Sequence, residues 1–377
     1  MQRVVFLVPG FFGFTSLGSL NYFYRVSSTL AAALDERGVE ARIVECRTKP
    51  TGSIRNRAVE LLREVVQKGG LEADELHFVG HSTGGLDVRL LLTPGVRLVP
   101  SGEEERIGRL TRTATLISTP HFGTPLAAFF TTLQGRHLLK VLTLLALTRG
   151  GRYTLFAGAQ VLSLAARLDD FTGRRDTFLD VAAQRLLRDL TPGREDPVWS
   201  FVKEVSTDQG VILQLTPEGM HLYNAAVVDR PDVRYGCVVT AAPPPPRGYG
   251  TSDLRPAIRP VMASVFAFLH TLNRRENRVY GYPSPAADLD EQLGRLLPFT
   301  PDASSNDGIV PAYSQLYGEL VDAVSADHLD VVGQFRNSGG QSMKDWLPSG
   351  SNFDEARFRR VWRNVAGVIG RHVSSAV

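Results

Sequence analysis

Three side chains in this sequence are of the types that turn a hydroxyl into a nucleophile: Ser82, Asp307 and His328. A serine hydroxyl attacks a carbonyl poorly until a base takes its proton, and that base needs an acceptor on its far ring nitrogen to fix tautomer and orientation. Ser82 is the centre of Gly80-His81-Ser82-Thr83-Gly84, which fits G-x-S-x-G. Leu76, Phe78 and Val79 before it read as a buried strand, and Leu86, Val88, Leu90 and Leu91 after it begin a helical pattern. A strand, a sharp turn and a helix, with the hydroxyl at the apex, is the context in which this pentapeptide presents a nucleophile. Gly80, Gly84 and Gly85 leave room for so tight a turn, where a β-carbon would collide with the strand or the helix.

The acid and the base lie near the C-terminus, in Asn306-Asp307-Gly308 and Asp327-His328-Leu329-Asp330. Serine, aspartate, histidine is the chain order used by sheets that carry this turn. Asp302, Asp322, Asp327 and Asp330 compete for the acid's role; Asp307 is preferred because Asn-Asp-Gly makes a tight turn that presents a carboxylate from a loop. His121 is the rival base, yet it follows the very next strand, which would hold it beside the pocket rather than over Ser82. Of the other histidines, His77 falls inside a strand and His81 is expected to point away from the pocket. His137, His221, His270 and His372 fall on expected helices.

These residues need a frame. Val4 to Val8 is apolar without alternation, as in a strand buried on both faces of a parallel sheet. The loop after it, Pro9-Gly10-Phe11-Phe12-Gly13, can offer a backbone N–H to a developing oxyanion at the sheet's carboxyl edge, and Phe11 is the residue chosen for it. An ordinary strand-to-helix connection fits the same residues equally well. Helices are expected over Asn21 to Arg37, Ile54 to Lys68 and Pro260 to Leu272, and another starting at Thr216-Pro217. Strands are expected over Glu40 to Cys46, Thr113 to Ser118 and Val233 to Thr240. Alternation of this kind predicts an α/β fold with a doubly wound, mostly parallel sheet and its ligand at the carboxyl ends of the strands.

Between Leu126 and residue 205 the character changes. Phe129, Phe130, Leu133, Leu138, Leu142 and Leu145 belong to a segment that is apolar on nearly all sides, interrupted by Gly150-Gly151. Such a helix is either buried or covers something apolar. The reading is one domain over 1–377 with a helical lid inserted at 126–205 and hinged at Gly150-Gly151; an insertion packed permanently into the body is the alternative.

Composition narrows the rest. A formal charge of +3, with arginine scattered along the chain rather than clustered, gives no sign of a nucleic-acid footprint, and no nucleic-acid partner is expected. Cys46 and Cys237 lie in apolar runs and read as buried thiols rather than a disulfide framework. No secretory leader and no run of about 20 apolar residues is visible, so a cytoplasmic location is expected.

The motifs V-G-H-S-T-G-G-L-D-V-R around Ser82, S-T-P-H-F-G-T from Ser118, N-D-G-I-V-P-A-Y-S-Q-L-Y-G from Asn306 and D-H-L-D-V-V-G-Q from Asp327 give the chain a family likeness. It resembles the bacterial true lipases of the α/β-hydrolase superfamily, the group that contains the calcium-dependent triacylglycerol lipases. The resemblance implies an α/β-hydrolase fold, Ser82 as nucleophile, Asp307 as acid, His328 as base, and the amides of Phe11 and Thr83 as the oxyanion hole. It also implies a structural calcium ion pinning the base's loop. Its ligands would be the Asp330 carboxylate, the backbone carbonyls of Gln334 and Ser338, and a carboxylate from Asp288 or Asp290; such hard oxygen donors suit calcium. No cofactor is implied for the chemistry. The sequence departs from the family in having Pro9 where a histidine is usual, and in lacking its disulfide.

The expected function is therefore a serine carboxylic-ester hydrolase, a lipase or esterase, on a lipid or acyl-ester substrate, with transient contact to a membrane or lipid-droplet surface through the lid. An acyltransferase or phospholipase on the same three residues is the first alternative. A non-catalytic lipid-binding protein that kept the scaffold is the second.

Overall fold

Strand β1 (Arg3–Val8) carries an unbroken apolar run, and each face of it meets its own core. Val5 and Leu7 pack into one cluster with Leu30, Leu34, Trp362 and Val365. Val4, Phe6 and Val8 pack into another with Leu61, Leu62, Val88 and Ile107. Side chains alternate across a strand, so a run with no polar positions demands cover on both sides.

The computed structural model describes residues 1–11, 16–17, 20–132, 210–245, 258–276, 282–283, 285–336 and 345–374. After β1 comes a small antiparallel hairpin, β2 (Ser16–Leu17) and β3 (Leu20–Asn21). The main sheet adds β4 (Arg42–Glu45), β5 (Glu75–His81), β6 (Thr111–Ile117), β7 (Arg234–Ala241) and β8 (Glu319–Ser325). Its order is β4-β1-β5-β6-β7-β8, and every described pairing in it is parallel. Phe6 and Phe78 are register partners on β1 and β5, and their rings stack at 5.6 Å.

The described helices are α1 (Val26–Asp35), α2 (Ile54–Gln67), α3 (Thr83–Leu92), α4 (Glu103–Leu110), α5 (Pro125–Thr131), α6 (Gly210–Gln214), α7 (Pro217–Ala226), α8 (Ile258–Glu276), α9 (Ala287–Leu296) and α10 (Glu355–Ser374). α1 and α10 cover one face, while α2, α3 and α4 cover the other. Helices on both faces of a parallel sheet bring the carboxyl ends of β1, β5, β6 and β7 to one rim.

Local signals account for several helix starts. Ser53 caps α2 by accepting the Asn56 N–H at 3.3 Å, and Thr216 caps α7 through the Gly219 N–H at 3.2 Å with Pro217 in the first turn. The helix expected from Asn21 begins only at Val26. Residues 22–25 form a turn instead, with Arg25 at φ 62° and the Tyr24 N–H donated to the Val332 carbonyl at 2.9 Å, so a distant partner takes a group the helix would have used. α4 is a helix that periodicity alone does not single out. Cys46 and Cys237 are free, buried thiols. Among the described residues no helix is long and apolar enough to cross a membrane. Apart from α5, the segment assigned to a lid, with Gly150-Gly151 and His137, lies outside the described residues.

α8 leans on the loop that carries Asp307: the Phe266 ring fills the space beside Gly308, and the Asn306 amide donates to the His270 carbonyl at 3.4 Å. The side chains of His270 and Asn273 on this helix are buried, the His270 ring beside the Ala242 backbone. Burial pushes the His270 imidazole down to about 4, against an ordinary 6.5. Between those values the unfolded chain binds the proton that the folded chain refuses. The neutral ring's contribution to stability is therefore complete above about pH 6.5 and is lost as pH falls toward 4. His270→Met is expected to flatten the dependence of melting temperature on pH across that window. Parallel curves for variant and wild type would contradict this assignment.

Candidate active site

β5 ends at His81 and α3 begins at Thr83, leaving Ser82 alone in the turn with φ 54° and ψ −131°. A non-glycine residue held there costs on the order of 1–3 kcal/mol, and persists only where its surroundings over-determine it. They do so here. The Ser82 N–H donates to the Ile117 carbonyl at 2.8 Å, and the Gly85 N–H donates to the Ser82 carbonyl at 3.1 Å. A β-carbon on Gly80 would stand 2.6 Å from the Gly85 Cα, so strand and helix are in backbone contact.

His328 enters from the loop after β8. Its Nε2 lies 2.9 Å from Ser82 Oγ, its Nδ1 lies 2.8 Å from Asp307 Oδ2, and its backbone N–H donates to the Asp307 carbonyl at 3.1 Å. All three residues are buried, Ser82 at 4%, Asp307 at 0% and His328 at 5% exposure, so their interactions act in a medium of low polarity.

The Asp307 carboxylate is held by the turn that contains it and by β7. Oδ1 accepts the N–H groups of Ile309 at 2.9 Å and Val310 at 2.7 Å. Oδ2 accepts the Thr240 hydroxyl at 2.7 Å and the Gln315 amide at 3.3 Å, besides the His328 ring. Because Thr240 spends its proton on a carboxylate, the Ser118 hydroxyl 2.8 Å away must donate to Thr240. Gly308 at φ 94° closes the turn, its N–H bound by the Asn306 side chain at 2.9 Å.

The other carboxylates are engaged elsewhere. Asp302 binds Ser304 and Ser305, and Asp322 binds Arg360 and Asn364. Asp327 binds the Leu329 and Asp330 amides and the Ser349 hydroxyl. His121 is buried, stacked on Tyr317 at 4.4 Å with its Nδ1 3.3 Å from an Arg89 nitrogen. Burial, and then the Arg89 charge, push its pKa well below the usual value.

Gly10 passes directly against Ser82: a β-carbon there would sit 2.5 Å from its Cβ. The carbonyls of Pro9 and Gly10 accept hydrogen bonds from one Arg57 nitrogen at 3.0 and 3.1 Å. In a trans peptide the C=O and N–H point opposite ways, so fixing the Gly10 carbonyl toward Arg57 turns the Phe11 N–H away from it. Phe11 is half-buried, and Thr83, first residue of α3, is buried beside Ser82. The first amides of a helix have no partner within it, which suits Thr83 to an anion.

Arg57 itself is buried and paired with Asp87 at 2.7 Å, and also donates to the Lys49 and Pro50 carbonyls. Burial outweighs this pairing and raises the Asp87 carboxyl to about 6. Neither residue announces itself in sequence, since an arginine inside a helix pattern reads as a surface residue. His81, expected to point away, instead turns inward: its ring lies 4.8 Å from that of His328, and its Nε2 is 2.9 Å from the His328 carbonyl. The tertiary hydrogen bond outweighs the outward direction that its place beside the apex suggests.

The described residues that the resemblance names as calcium ligands lie on α9 and on the loop after β8. The Asp330 carboxylate already accepts the Asp327 N–H and the Ser351 hydroxyl, each at 2.9 Å. Asp288 is exposed on α9, and Asp290 accepts the Tyr313 hydroxyl at 3.0 Å. The Gln334 side chain donates to the Asn21 carbonyl, and Ser338 lies outside the described residues. Among the described residues no three histidine, cysteine or acidic side chains converge so as to hold a metal ion.

No family model and no curated protein matches this chain. Solved structures do. The Staphylococcus hyicus lipase is similar with a TM-score of 0.51 at 15% identity, over 99% of this chain and 96% of that one. EstA from Clostridium botulinum is similar with a TM-score of 0.47 at 18% identity, over 97% of this chain and 86% of that one. Lipase 1 from Pelosinus fermentans follows with a TM-score of 0.44 at 16% identity, over 97% of this chain and 98% of that one. The first likeness, with the parallel six-stranded sheet and its flanking helices, identifies the fold as that of the α/β-hydrolases.

Proposed function

We propose that this protein is a serine carboxylic-ester hydrolase acting on lipid-like esters. One observation carries the reading: a buried imidazole bridges the Ser82 hydroxyl and the Asp307 carboxylate, at 2.9 and 2.8 Å. Ser82 Oγ attacks the acyl carbonyl carbon while its proton passes to His328 Nε2. The carbonyl oxygen becomes an oxyanion, received by the N–H groups of Phe11 and Thr83. The bond to the alcohol oxygen then breaks, and that oxygen takes the proton from Nε2. Water attacks the acyl-serine, gives a proton to Nε2, and the carboxylic acid leaves as Oγ recovers it. Asp307 stays ionised throughout and stabilises the imidazolium. No step passes through a metal.

The apolar segment within 126–205 is the part of the chain we assign to the acyl group, as a lid in one domain with the sheet. Each methylene it removes from water contributes about 0.8 kcal/mol to binding. At the start of the segment, the Phe129 ring of α5 packs edge-on against that of Phe268 on α8, centroids 6.0 Å apart.

A panel of p-nitrophenyl esters of rising chain length tests the proposal. Wild type is expected to favour the longer chains, and Ser82→Ala to lose about 10⁴-fold or more in kcat. Undiminished hydrolysis by Ser82→Ala would overturn it. Adding an alcohol acceptor separates the acyltransferase reading, since an ester product appears only if alcohol outcompetes water for the acyl-serine.

A further inference from the structure

We propose that Tyr22 and His81 are positioning residues, joining the oxyanion loop to the loop of the base through one hydrogen-bonded chain. The inference rests on the hydrolase reading. The chain starts at the Gly10 N–H, which donates to the Tyr22 hydroxyl at 2.8 Å. The Tyr22 oxygen lies 2.7 Å from His81 Nδ1, and His81 Nε2 lies 2.9 Å from the His328 carbonyl oxygen. The two ends set its direction, because a backbone N–H only donates and a carbonyl only accepts. Tyr22 therefore accepts from Gly10 and gives its own proton to Nδ1. His81 carries its proton on Nε2 and gives it to the carbonyl of the base. With a neutral ring this pattern satisfies every member. Burial first, and the neighbouring His328 second, push the His81 pKa well below its usual value.

The segment that carries Tyr22 is also fastened to the base's loop. The Tyr24 N–H donates to the Val332 carbonyl at 2.9 Å, and the Gln334 side chain donates to the Asn21 carbonyl at 2.7 Å. A β-carbon on Gly333 would stand 2.0 Å from the Tyr24 oxygen, so the two loops touch backbone to backbone. At one end the chain holds the carbonyl of residue 328, and with it the approach of that ring to Ser82. At the other it holds the Gly10 peptide, which precedes the Phe11 N–H. Base and oxyanion donor are thereby set against each other rather than separately.

Tyr22→Phe removes one oxygen, His81→Phe removes both ring nitrogens, and His81→Gln keeps an N–H near the position of Nε2. For each variant we would measure melting temperature, kcat and KM on one p-nitrophenyl ester, and the rate of fluorophosphonate labelling. Tyr22→Phe and His81→Phe are each expected to lower kcat and the labelling rate about ten- to a hundredfold, as when a buried group loses its partner, with KM unchanged. The double variant should lose no more than His81→Phe alone, because the chain is broken once, and His81→Gln should regain most of the loss. Variants as fast as wild type would overturn the inference, and so would single losses that multiply in the double variant. A wild-type chain that takes no label overturns the hydrolase reading itself, which equally fast labelling of wild type and variants leaves standing.

Discussion

Asp307→Asn is expected to lower kcat for ester hydrolysis about 10⁴-fold with little change in KM, because the substitution leaves the shape of the site intact and reverses one hydrogen bond. The reversal follows from the donors around the carboxylate. The Ile309 and Val310 N–H groups both point at Oδ1, so the single oxygen of an asparagine must stay there. Its NH₂ then takes the place of Oδ2, 2.8 Å from His328 Nδ1. Two donors cannot share a bond, and His328 must carry its proton on Nε2, the atom that has to receive the proton of Ser82. The Thr240 hydroxyl can turn to accept, whereas the Gln315 amide loses its weak contact at 3.3 Å, so only a small fall in melting temperature is expected. Steady-state kinetics on a p-nitrophenyl ester checks this. A loss smaller than about tenfold would show that Asp307 does not fix the tautomer.

Arg57→Leu is expected to show the largest effect on stability, about 3–5 kcal/mol, because it leaves the Asp87 carboxylate buried without its cation. Asp87 is 0% exposed, and its carboxyl already stands at about 6 with Arg57 beside it. A carboxyl raised in the folded state weakens stability as pH rises through the interval above its unfolded value. Without the guanidinium that interval widens, so the variant's deficit is larger at pH 8 than at pH 5. Urea denaturation at both pH values measures it, and a loss below about 1 kcal/mol at pH 8 would contradict the argument. The same change also frees the Pro9 and Gly10 carbonyls. Arg57→Leu combined with Asp87→Leu should therefore regain much of the stability and little of the activity. Recovery of both would mean that the arginine serves packing alone.

The parts of the site that could be read from sequence are those encoded within a few neighbouring residues. Ser82 shows itself through glycines at fixed offsets and the change from strand to helix periodicity, and Asp307 through a turn whose residue types are dictated by backbone angles. β1 and α2 are legible for the same reason. Arg57 with Asp87, and Tyr22 with His81, are not, because each pair is made of unremarkable residues brought together by topology across |i−j| of 30 and 59. The same remoteness explains the shortened start of α1, where Val332 competes for the Tyr24 N–H. The calcium ligands are implied by likeness rather than by local chemistry, because a backbone carbonyl such as that of Gln334 leaves no mark in residue type.

The most direct measurement is to react the intact chain with a fluorophosphonate, digest it and locate the adduct by mass spectrometry. A hydroxyl activated by a neighbouring imidazole is predicted to take the label on the peptide that contains Ser82, with labelling abolished in Ser82→Ala and slowed severely in His328→Gln. A chain that takes no label, or one whose label sits on another residue and survives Ser82→Ala, would contradict the account.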